Sequence, residues 1–286
     1  EWKHMKDIKE GDWLALQLGS YPENTDYKLP EFDYHPHANA EFIILPQTPT
    51  IGLGELIGYF IGDGAISINE RGTGRFILSF ADEYQDTKKH LHNLMLNIFG
   101  ILPQESKKEN DASTNLFYNR TTLVYWLKNI GVEKDSALTA RIPELVFKAG
   151  KEFAKGFLRG LFTADGTVTE EGYVSLASVS EKLIEDTQQL LLSLGMPSYK
   201  FVTEERDGAY GNNPLFRLSI ITERGLEIFS QEIKFLAEKK NQRLKKNKGK
   251  WEFNDIIPNQ ENVLKEIYNG PGRGCAVGKT SKNANR

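Results

Sequence analysis

A nine-residue motif occurs twice in this chain, and this repeat is the feature that most restricts the possible folds. The first copy reads Leu-Ile-Gly-Tyr-Phe-Ile-Gly-Asp-Gly over 56–64, and the second reads Leu-Arg-Gly-Leu-Phe-Thr-Ala-Asp-Gly over 158–166. The copies are identical at five of nine positions, and Asp63 and Asp165 lie 102 residues apart. Two copies at so long a period indicate a duplicated domain rather than a solenoid of short repeats.

The segments that follow the two copies also correspond. The predicted order in each half is helix, two strands, helix, two strands, helix, which is typical of an α+β protein with antiparallel hairpins. After the motif helix, the predicted segments are 75–80, 90–99, 101–107, 114–119 and 121–130 in the first half, and 173–179, 183–194, 199–204, 215–221 and 223–236 in the second. We therefore predict two similar halves and not a parallel doubly wound sheet.

Small residues recur four positions apart within each motif: Gly58 and Gly62 in the first copy, Gly160 and Ala164 in the second. Positions four apart share one helix face, so we expect the two motif helices to pack closely about a pseudo-two-fold axis. Asp63 and Asp165 would then emerge side by side at helix ends where the dipole is negative. Carboxylate and carbonyl oxygens suit Mg²⁺, so the pair predicts metal-assisted hydrolysis of a phosphodiester.

A single Asp-Gly copy would indicate only a turn that ends a helix. Two copies in matching contexts favour a functional site over that simpler interpretation. The motifs resemble the paired signature of the LAGLIDADG (dodecapeptide) homing endonucleases, and the resemblance covers roughly residues 50–245. It implies two pseudo-symmetric αββαββα halves whose four-stranded sheets form a saddle over double-stranded DNA.

The same resemblance implies roles for particular residues. Asp63 and Asp165 would bind the catalytic Mg²⁺ or Mn²⁺ ions, and the backbone carbonyls of Gly62 and Ala164 would complete the coordination. Family members also carry one lysine in each half, and in the second half the resemblance favours Lys239, with Lys240 as its neighbour.

The first half departs from the family pattern at this lysine. The matching block is 138–143, and Ala140 stands where the lysine is usual. Arg141 is predicted to substitute as a cation, although a guanidinium does not readily release a proton. Lys134 is a weaker candidate. We therefore expect an impaired first site that gives nicking or no cleavage.

The formal net charge of −3 does not exclude a nucleic-acid partner, because it averages an acidic body and a basic stretch. Residues 234–250 alone carry a net charge of +7. Such a run is usually a solvated helix face, but beside a nuclease cleft phosphate contact is favoured. The residues predicted to contact DNA are Arg75, Lys107, Arg206, Arg217, Lys240, Arg243, Lys245 and Lys246.

The flanks resemble pieces of an intein. Residues 2–16 and 253–258 are similar to intein segments that border an inserted endonuclease. The predicted domains are a partial, β-rich splicing (Hint-like) segment with linker at 1–45, the LAGLIDADG halves at 46–150 and 151–250, and a partly disordered extension at 251–286. Because Glu1 replaces the Cys or Ser nucleophile and no terminal His-Asn follows, we expect no splicing by this chain alone.

The sequence leads to one principal function and two alternatives. We predict a monomeric, intein-borne, site-specific endonuclease that cuts double-stranded DNA at the intein insertion site, with host-protein exteins as flanking partners. The alternatives are a module that binds DNA or RNA without cutting, and a structural remnant of the intein. Cys275 is the sole cysteine, which indicates a reducing and hence cytoplasmic compartment, and the short apolar runs predict no membrane partner.

Overall fold

The computed structural model describes residues 4–9, 12, 17–23, 26–35, 40–107, 112–203 and 213–244. The chain divides into two units: Glu1–Leu16 with Glu252–Arg286, and Gln17–Trp251. The described part of the first unit contains the 3-10 turn Met5–Asp7. Several sequence predictions lie outside the described residues, namely those on Arg206, Lys245, Lys246 and the block 253–258.

The described residues of the second unit form two similar sets of elements. The first set is α1 (Ile51–Asp63), β1 (Gly64–Ile68), β2 (Gly74–Ala81), α2 (Gln85–Phe99), β3 (Gln104–Lys107), β4 (Ser113–Tyr118) and α3 (Thr121–Asn129). The second set is α4 (Lys151–Asp165), β5 (Gly166–Val168), β6 (Val174–Ser178), α5 (Glu181–Ser193), β7 (Tyr199–Thr203), β8 (Leu215–Ile220), α6 (Glu223–Ile228) and α7 (Glu238–Leu244). A 3-10 turn, Glu144–Phe147, precedes α4.

Each half contains one four-stranded antiparallel sheet, and the two sheets have the same topology. The strand orders are β1-β2-β4-β3 and β5-β6-β8-β7. The registers also correspond, because Gly64 pairs with Leu78 while Gly166 pairs with Leu176. The predicted α+β fold with two pseudo-symmetric halves is confirmed.

The sheets bury one face against helices of their own half. Along β2, Phe76, Leu78 and Phe80 are buried while the alternate residues are more exposed, which is the period expected of a sheet covered on one side. These side chains pack with the apolar residues of α2 and α3 in one continuous core. No helix among the described residues is both long and apolar enough to cross a membrane.

The helices α1 and α4 pack backbone against backbone at the centre of the unit. A Cβ atom on Gly58 would lie 1.9 Å from the Phe157 carbonyl oxygen, and one on Gly160 would lie 2.1 Å from the Glu55 carbonyl oxygen. Gly58 and Gly160 are equivalent positions of the repeat, 102 residues apart, and so are Glu55 and Phe157. The two contacts are therefore related by a pseudo-two-fold axis. The close approach predicted from the small residues is confirmed.

The final helix of the second half ends earlier than predicted. The helix predicted to reach about 236 runs as α6 to Ile228 and continues as one π-helical turn, Phe229–Ile233. Lys234 then takes a φ of 61°, which interrupts the helix. The chain restarts as α7, so α7 is oriented independently of α6.

Described residues within 17–45 contact both halves, although the sequence interpretation assigned this range to the flank and linker. The Tyr21 amide donates to the Ser193 carbonyl oxygen of the second half at 2.9 Å, and the Ile44 amide donates to the Phe99 carbonyl oxygen of the first half at 3.0 Å. The division between the two units falls after Leu16.

Candidate active site

Asp63 and Asp165 are the last residues of the paired helices α1 and α4. Each is followed by a glycine that begins an edge strand of its sheet, β1 or β5. At this end of the helix pair, a Cβ atom on Gly62 would lie 2.4 Å from the Ala164 Cβ and 3.3 Å from Asp165 Oδ2. The Asp165 carboxylate therefore lies against the last turn of α1, next to Asp63, as the sequence predicted.

Protein atoms around the two carboxyl groups disfavour their ionised forms. Desolvation, together with the charge of Asp63, raises the pKa of Asp165 to about 6, against the lowering effects of Lys134 and Lys240. Desolvation also raises the pKa of Asp63, although its side chain is open to solvent at one side. A site with two such carboxylates gains from binding a cation.

Lys240, on α7, reaches the end of α4. Its Nζ donates to the Thr163 carbonyl oxygen at 2.6 Å and to the Gly166 carbonyl oxygen at 2.7 Å. The side chain is 8% exposed and lies 5.2 Å from the centre of the Tyr84 ring. Burial lowers the pKa of Lys240 to about 8, with the two aspartates opposing the shift.

Lys134 reaches the end of α1 in the corresponding way. Its Nζ donates to the Gly62 carbonyl oxygen at 2.5 Å and contacts the Gly64 carbonyl oxygen at 3.4 Å. Burial lowers its pKa, and the charges of Asp165 and Asp63 oppose the shift. The site thus contains one aspartate and one lysine from each half.

The structure corrects the predicted lysine of the second half. The prediction favoured Lys239, but this side chain is 54% exposed and forms an ion pair with Glu83. Consecutive residues of a helix point about 100° apart, so Lys239 and Lys240 cannot both face the aspartates.

The structure also places the residues of the first half differently. Arg141 is 63% exposed and lies 3.8 Å from Asp186 Oδ2, so it does not supply the cation at this site. Ala140 is 2% exposed, and its carbonyl oxygen accepts from the Ser180 hydroxyl at 2.6 Å. Lys134, the weaker candidate, occupies the position, and the expected impairment of the first site loses its basis.

The donor set at the helix ends fits a divalent cation with hard oxygen ligands. Asp63 and Asp165 supply carboxylate oxygens whose mutual repulsion a cation would relieve. The Gly62 carbonyl keeps a second lone pair beside its bond from Lys134. Among the described residues no group of three or more His, Cys, Asp or Glu side chains could hold a metal, so backbone or water oxygens must complete any coordination here.

The predicted DNA-contacting residues occupy different surfaces. Arg75 and Arg217 lie on the exposed sheet faces, and Arg75 Nε donates to Asn119 Oδ1 at 2.6 Å. Lys107 pairs in register with the buried Thr114, so it points to the helix side, where it forms a 2.6 Å ion pair with Asp82. Arg243 is exposed on α7.

Sequence reasoning missed a charged cluster between the motif helices. Glu55 is 5% exposed, its Oε1 lies 2.5 Å from Arg159 Nη1, and its Oε2 lies 2.7 Å from His90 Nε2. Its two partners hold the pKa of Glu55 below the usual range despite burial. A charged residue inside the otherwise apolar α1, and another inside the second motif, were the signals that could have revealed it.

Residues 152–234 match the family model described as a LAGLIDADG-like domain. The match lies within the second half of the chain. The matched range contains α4 with Asp165 and ends just before the segment that leads to Lys240.

Proteins related in sequence to this chain include enzymes of several kinds. Glutamine–fructose-6-phosphate aminotransferase of Methanocaldococcus jannaschii is 29% identical over 203 residues, 70% of this chain and 18% of that protein. A DNA polymerase of Thermococcus hydrothermalis is 27% identical over 239 residues, 77% of this chain and 14% of that protein. Ribonucleoside-diphosphate reductase NrdEB subunit alpha of Bacillus subtilis is 24% identical over 254 residues, 76% of this chain and 23% of that protein. The chain therefore spans less than a quarter of the length of these relatives.

Solved structures similar to this chain include a homing endonuclease and a DUF199/WhiA protein. Mesophilic variants of the homing endonuclease I-DmoI share 20% identity over 64% of this chain and 89% of theirs, with a TM-score of 0.48. I-DmoI in complex with DNA and Mn shares 15% identity over 64% of this chain and 96% of that chain, with a TM-score of 0.43. Full-length DUF199/WhiA from Thermatoga maritima shares 14% identity over 77% of this chain and 66% of that chain, with a TM-score of 0.43.

Proposed function

We propose that this protein is a site-specific double-strand DNA endonuclease carried by an intein, and that it hydrolyses phosphodiesters with Mg²⁺ or Mn²⁺. The observation that carries the proposal is the pairing at the helix ends: Asp63 with Lys134 from the first half, and Asp165 with Lys240 from the second. Each set, one aspartate with one lysine, would act on one of the two strands of a duplex.

The chain's own residues can divide the work of hydrolysis. Asp63 and Asp165 would hold the divalent ions, which when bound neutralise phosphate charge and lower the pKa of bound water. Lys240, whose pKa burial lowers to about 8, can hold or release a proton near neutral pH and can stabilise developing charge. Lys134, whose pKa is also lowered, would serve the other strand in the same way.

Binding of a long duplex would use the exposed sheet faces and the basic α7 region. Arg75 and Arg217 point from the exposed faces of the two sheets, where they can reach bases or phosphates. Arg243 adds positive charge beside Lys240 on α7. One chain supplies both sets of site residues, which supports action as a monomer.

The relatives support carriage by an intein. An aminotransferase, a DNA polymerase and a reductase share no activity, yet each is similar to this chain over less than a quarter of its own length. A segment that occurs in such different enzymes is expected to be an insertion into each of them. In this chain Gln17–Trp251 forms one unit flanked in sequence on both sides by the other, which is the order of an inserted domain. Host-protein exteins as partners and a reducing, cytoplasmic location belong to the same proposal.

The test is cleavage of a DNA that carries the reconstituted insertion site of the host gene. The chain should make a double-strand cut with Mg²⁺ and none with EDTA. Asp63→Asn and Asp165→Asn should each reduce cutting at least about a thousandfold, since each removes a ligand and a charge from the site. Tight, salt-sensitive binding with no cutting by the unaltered protein would support the binding module instead.

A further inference from the structure

Lys134 and Lys240 reach corresponding positions from dissimilar segments. Lys240 depends on the chain that follows α6, where one π-helical turn ends at Lys234 with φ 61° and ψ −176°. Lys234 is the sole non-glycine residue with a positive φ in the described part of the chain. A backbone in such a strained conformation persists only where its surroundings hold it.

Arg159 of α4 holds that turn. Its Nε donates to the Ile233 carbonyl oxygen at 2.5 Å and its Nη2 donates to the Glu232 carbonyl oxygen at 3.1 Å. Its Nη1 bonds Glu55 Oε1 at 2.5 Å, and Glu55 belongs to α1 of the first half. The guanidinium therefore joins the first half to the turn before Lys234, with His90 of α2 on the other Glu55 oxygen.

Further hydrogen bonds extend this attachment toward Lys240. The Leu236 amide donates to Thr163 Oγ1 at 2.8 Å, and that hydroxyl donates to the Arg159 carbonyl oxygen at 2.6 Å. The Asn241 side chain bonds both the amide and the carbonyl of Phe235, at 2.9 and 2.8 Å. The segment 232–241 is thus fixed to α4 at both ends of the Lys234 turn.

Among the described residues of the first half, no arginine occupies the equivalent position. The position in α1 that corresponds to Arg159 under the repeat is Ile57, an apolar residue that is 2% exposed. Lys134 instead follows α3 after a turn at Gly131, whose φ is 77°. A glycine adopts that conformation without help from neighbours.

We propose that Arg159, anchored by Glu55, is a positioning residue that fixes segment 232–241 and thereby sets Lys240 at the aspartate pair. The second half-site then depends on a contact from Glu55 of the first half, whereas Ile57, the equivalent residue of α1, gives Lys134 no such support. This inference rests on the proposed endonuclease function for its effect on cutting, but the positioning itself is independent of that function.

Hydrogen exchange of the full-length protein tests the positioning without any DNA. In Arg159→Met, the Lys234 and Leu236 amides should exchange at least about tenfold faster, while the Val132 amide of the first half stays as in the unaltered chain. The double variant Glu55→Gln/Arg159→Met should show the same local effect, and it avoids leaving a buried carboxylate without its arginine partner if the single variant does not fold. Lys200→Met is the matched control, because Lys200 is a second-half cation that pairs with Glu181 and Glu185.

Strand-resolved cleavage of an end-labelled duplex tests the consequence. Arg159→Met should slow one strand at least about tenfold at unchanged KM and leave the other strand unaffected, so that nicked DNA accumulates. Arg159→Lys, which keeps the charge opposite Glu55, should restore part of the rate. Equal slowing of both strands, or exchange at Lys234 and Leu236 equal to that of the Lys200→Met control, overturns the proposal. Absence of cutting by the unaltered protein would refute the endonuclease function, and the exchange result would still decide the positioning.

Discussion

The two halves have the same backbone plan but support their lysines differently. α1 and α4 end in the same motif, Gly58 and Gly160 each lie against the backbone of the opposite helix in equivalent positions, and both sheets have the same topology. Yet Lys134 follows a turn at a glycine, whereas Lys240 follows a strained turn that Arg159 holds from outside. The comparison teaches that a duplicated fold can preserve the position of a functional group while the means of holding it diverges.

The first prediction concerns the part of the molecule that is symmetric. Gly58→Ala and Gly160→Ala should each lower the free energy of unfolding by about 3 kcal/mol, because the new methyl group would meet a backbone oxygen that cannot move alone. Urea unfolding followed by circular dichroism measures this loss. Gly52→Ala is the control, since its methyl group would meet only the ends of the Leu94 and Ile98 side chains. Markedly unequal losses at Gly58 and Gly160 would show that the helix packing is not symmetric in energy.

The second prediction separates the two lysines. Lys134→Met and Lys240→Met should each slow the cutting of a different strand by about a hundredfold, because each removes the cation beside one half-site. Rates for the separately labelled strands measure the effect. Lys239→Met should change neither rate by more than about threefold, because Lys239 pairs with Glu83 at the surface. A strong effect of Lys239→Met with none for Lys240→Met would restore the original sequence assignment.

The third prediction uses the raised pKa of Asp165. The folded protein binds a proton near pH 6 that an unfolded aspartate, with a pKa near 3.8, does not bind. With respect to this group, the metal-free protein should therefore be most stable below about pH 4, where the carboxyl group is protonated in both the folded and the unfolded states. It should lose on the order of 1 kcal/mol of this contribution as pH rises through about 6. Unfolding in urea with EDTA at several pH values measures the slope, and Asp165→Asn should flatten it. An unchanged slope in Asp165→Asn would place the titration elsewhere.

The same carboxyl group gives an opposite dependence for metal binding. A carboxylate must be ionised to bind a divalent ion, so Mn²⁺ affinity should fall as pH decreases through about 6. Isothermal titration with Mn²⁺ at pH 5 and pH 7.5 measures the difference.

The smallest expected effect is on DNA binding, and it should differ between two basic residues of the first sheet. Arg75→Ala should weaken DNA binding about fivefold, because Arg75 lies on the exposed face. It should also reduce the slope of the logarithm of the affinity against the logarithm of the salt concentration by about one. Lys107→Ala should leave both quantities nearly unchanged, because its ammonium points away from that face and pairs with Asp82. Binding isotherms at two salt concentrations check both variants. Equal effects would mean that DNA reaches the helix side of the sheet edge.

The sequence predicted most strands and helices well, because the pattern of apolar and polar residues that marks each of them repeats every two to four residues. The strands 75–80 and 215–221 and the helix 121–130 agree closely with β2, β8 and α3, since their alternating or helical patterns are complete within a few residues. The helix predicted to reach 236 ends at Ile233 after a π-helical turn, because no residue there marks the turn that Arg159 holds from a distant part of the chain.

By itself the sequence determined the duplication, the close helix pair and the meeting of Asp63 with Asp165, because all three follow from spacing within the repeated motif. Only the tertiary structure decided which lysine accompanies each aspartate. Neighbouring residues of a helix differ by about 100° in direction, so choosing Lys240 over Lys239 requires the orientation of α7. That orientation depends on the turn at Lys234, which the α4 side chain of Arg159 stabilises.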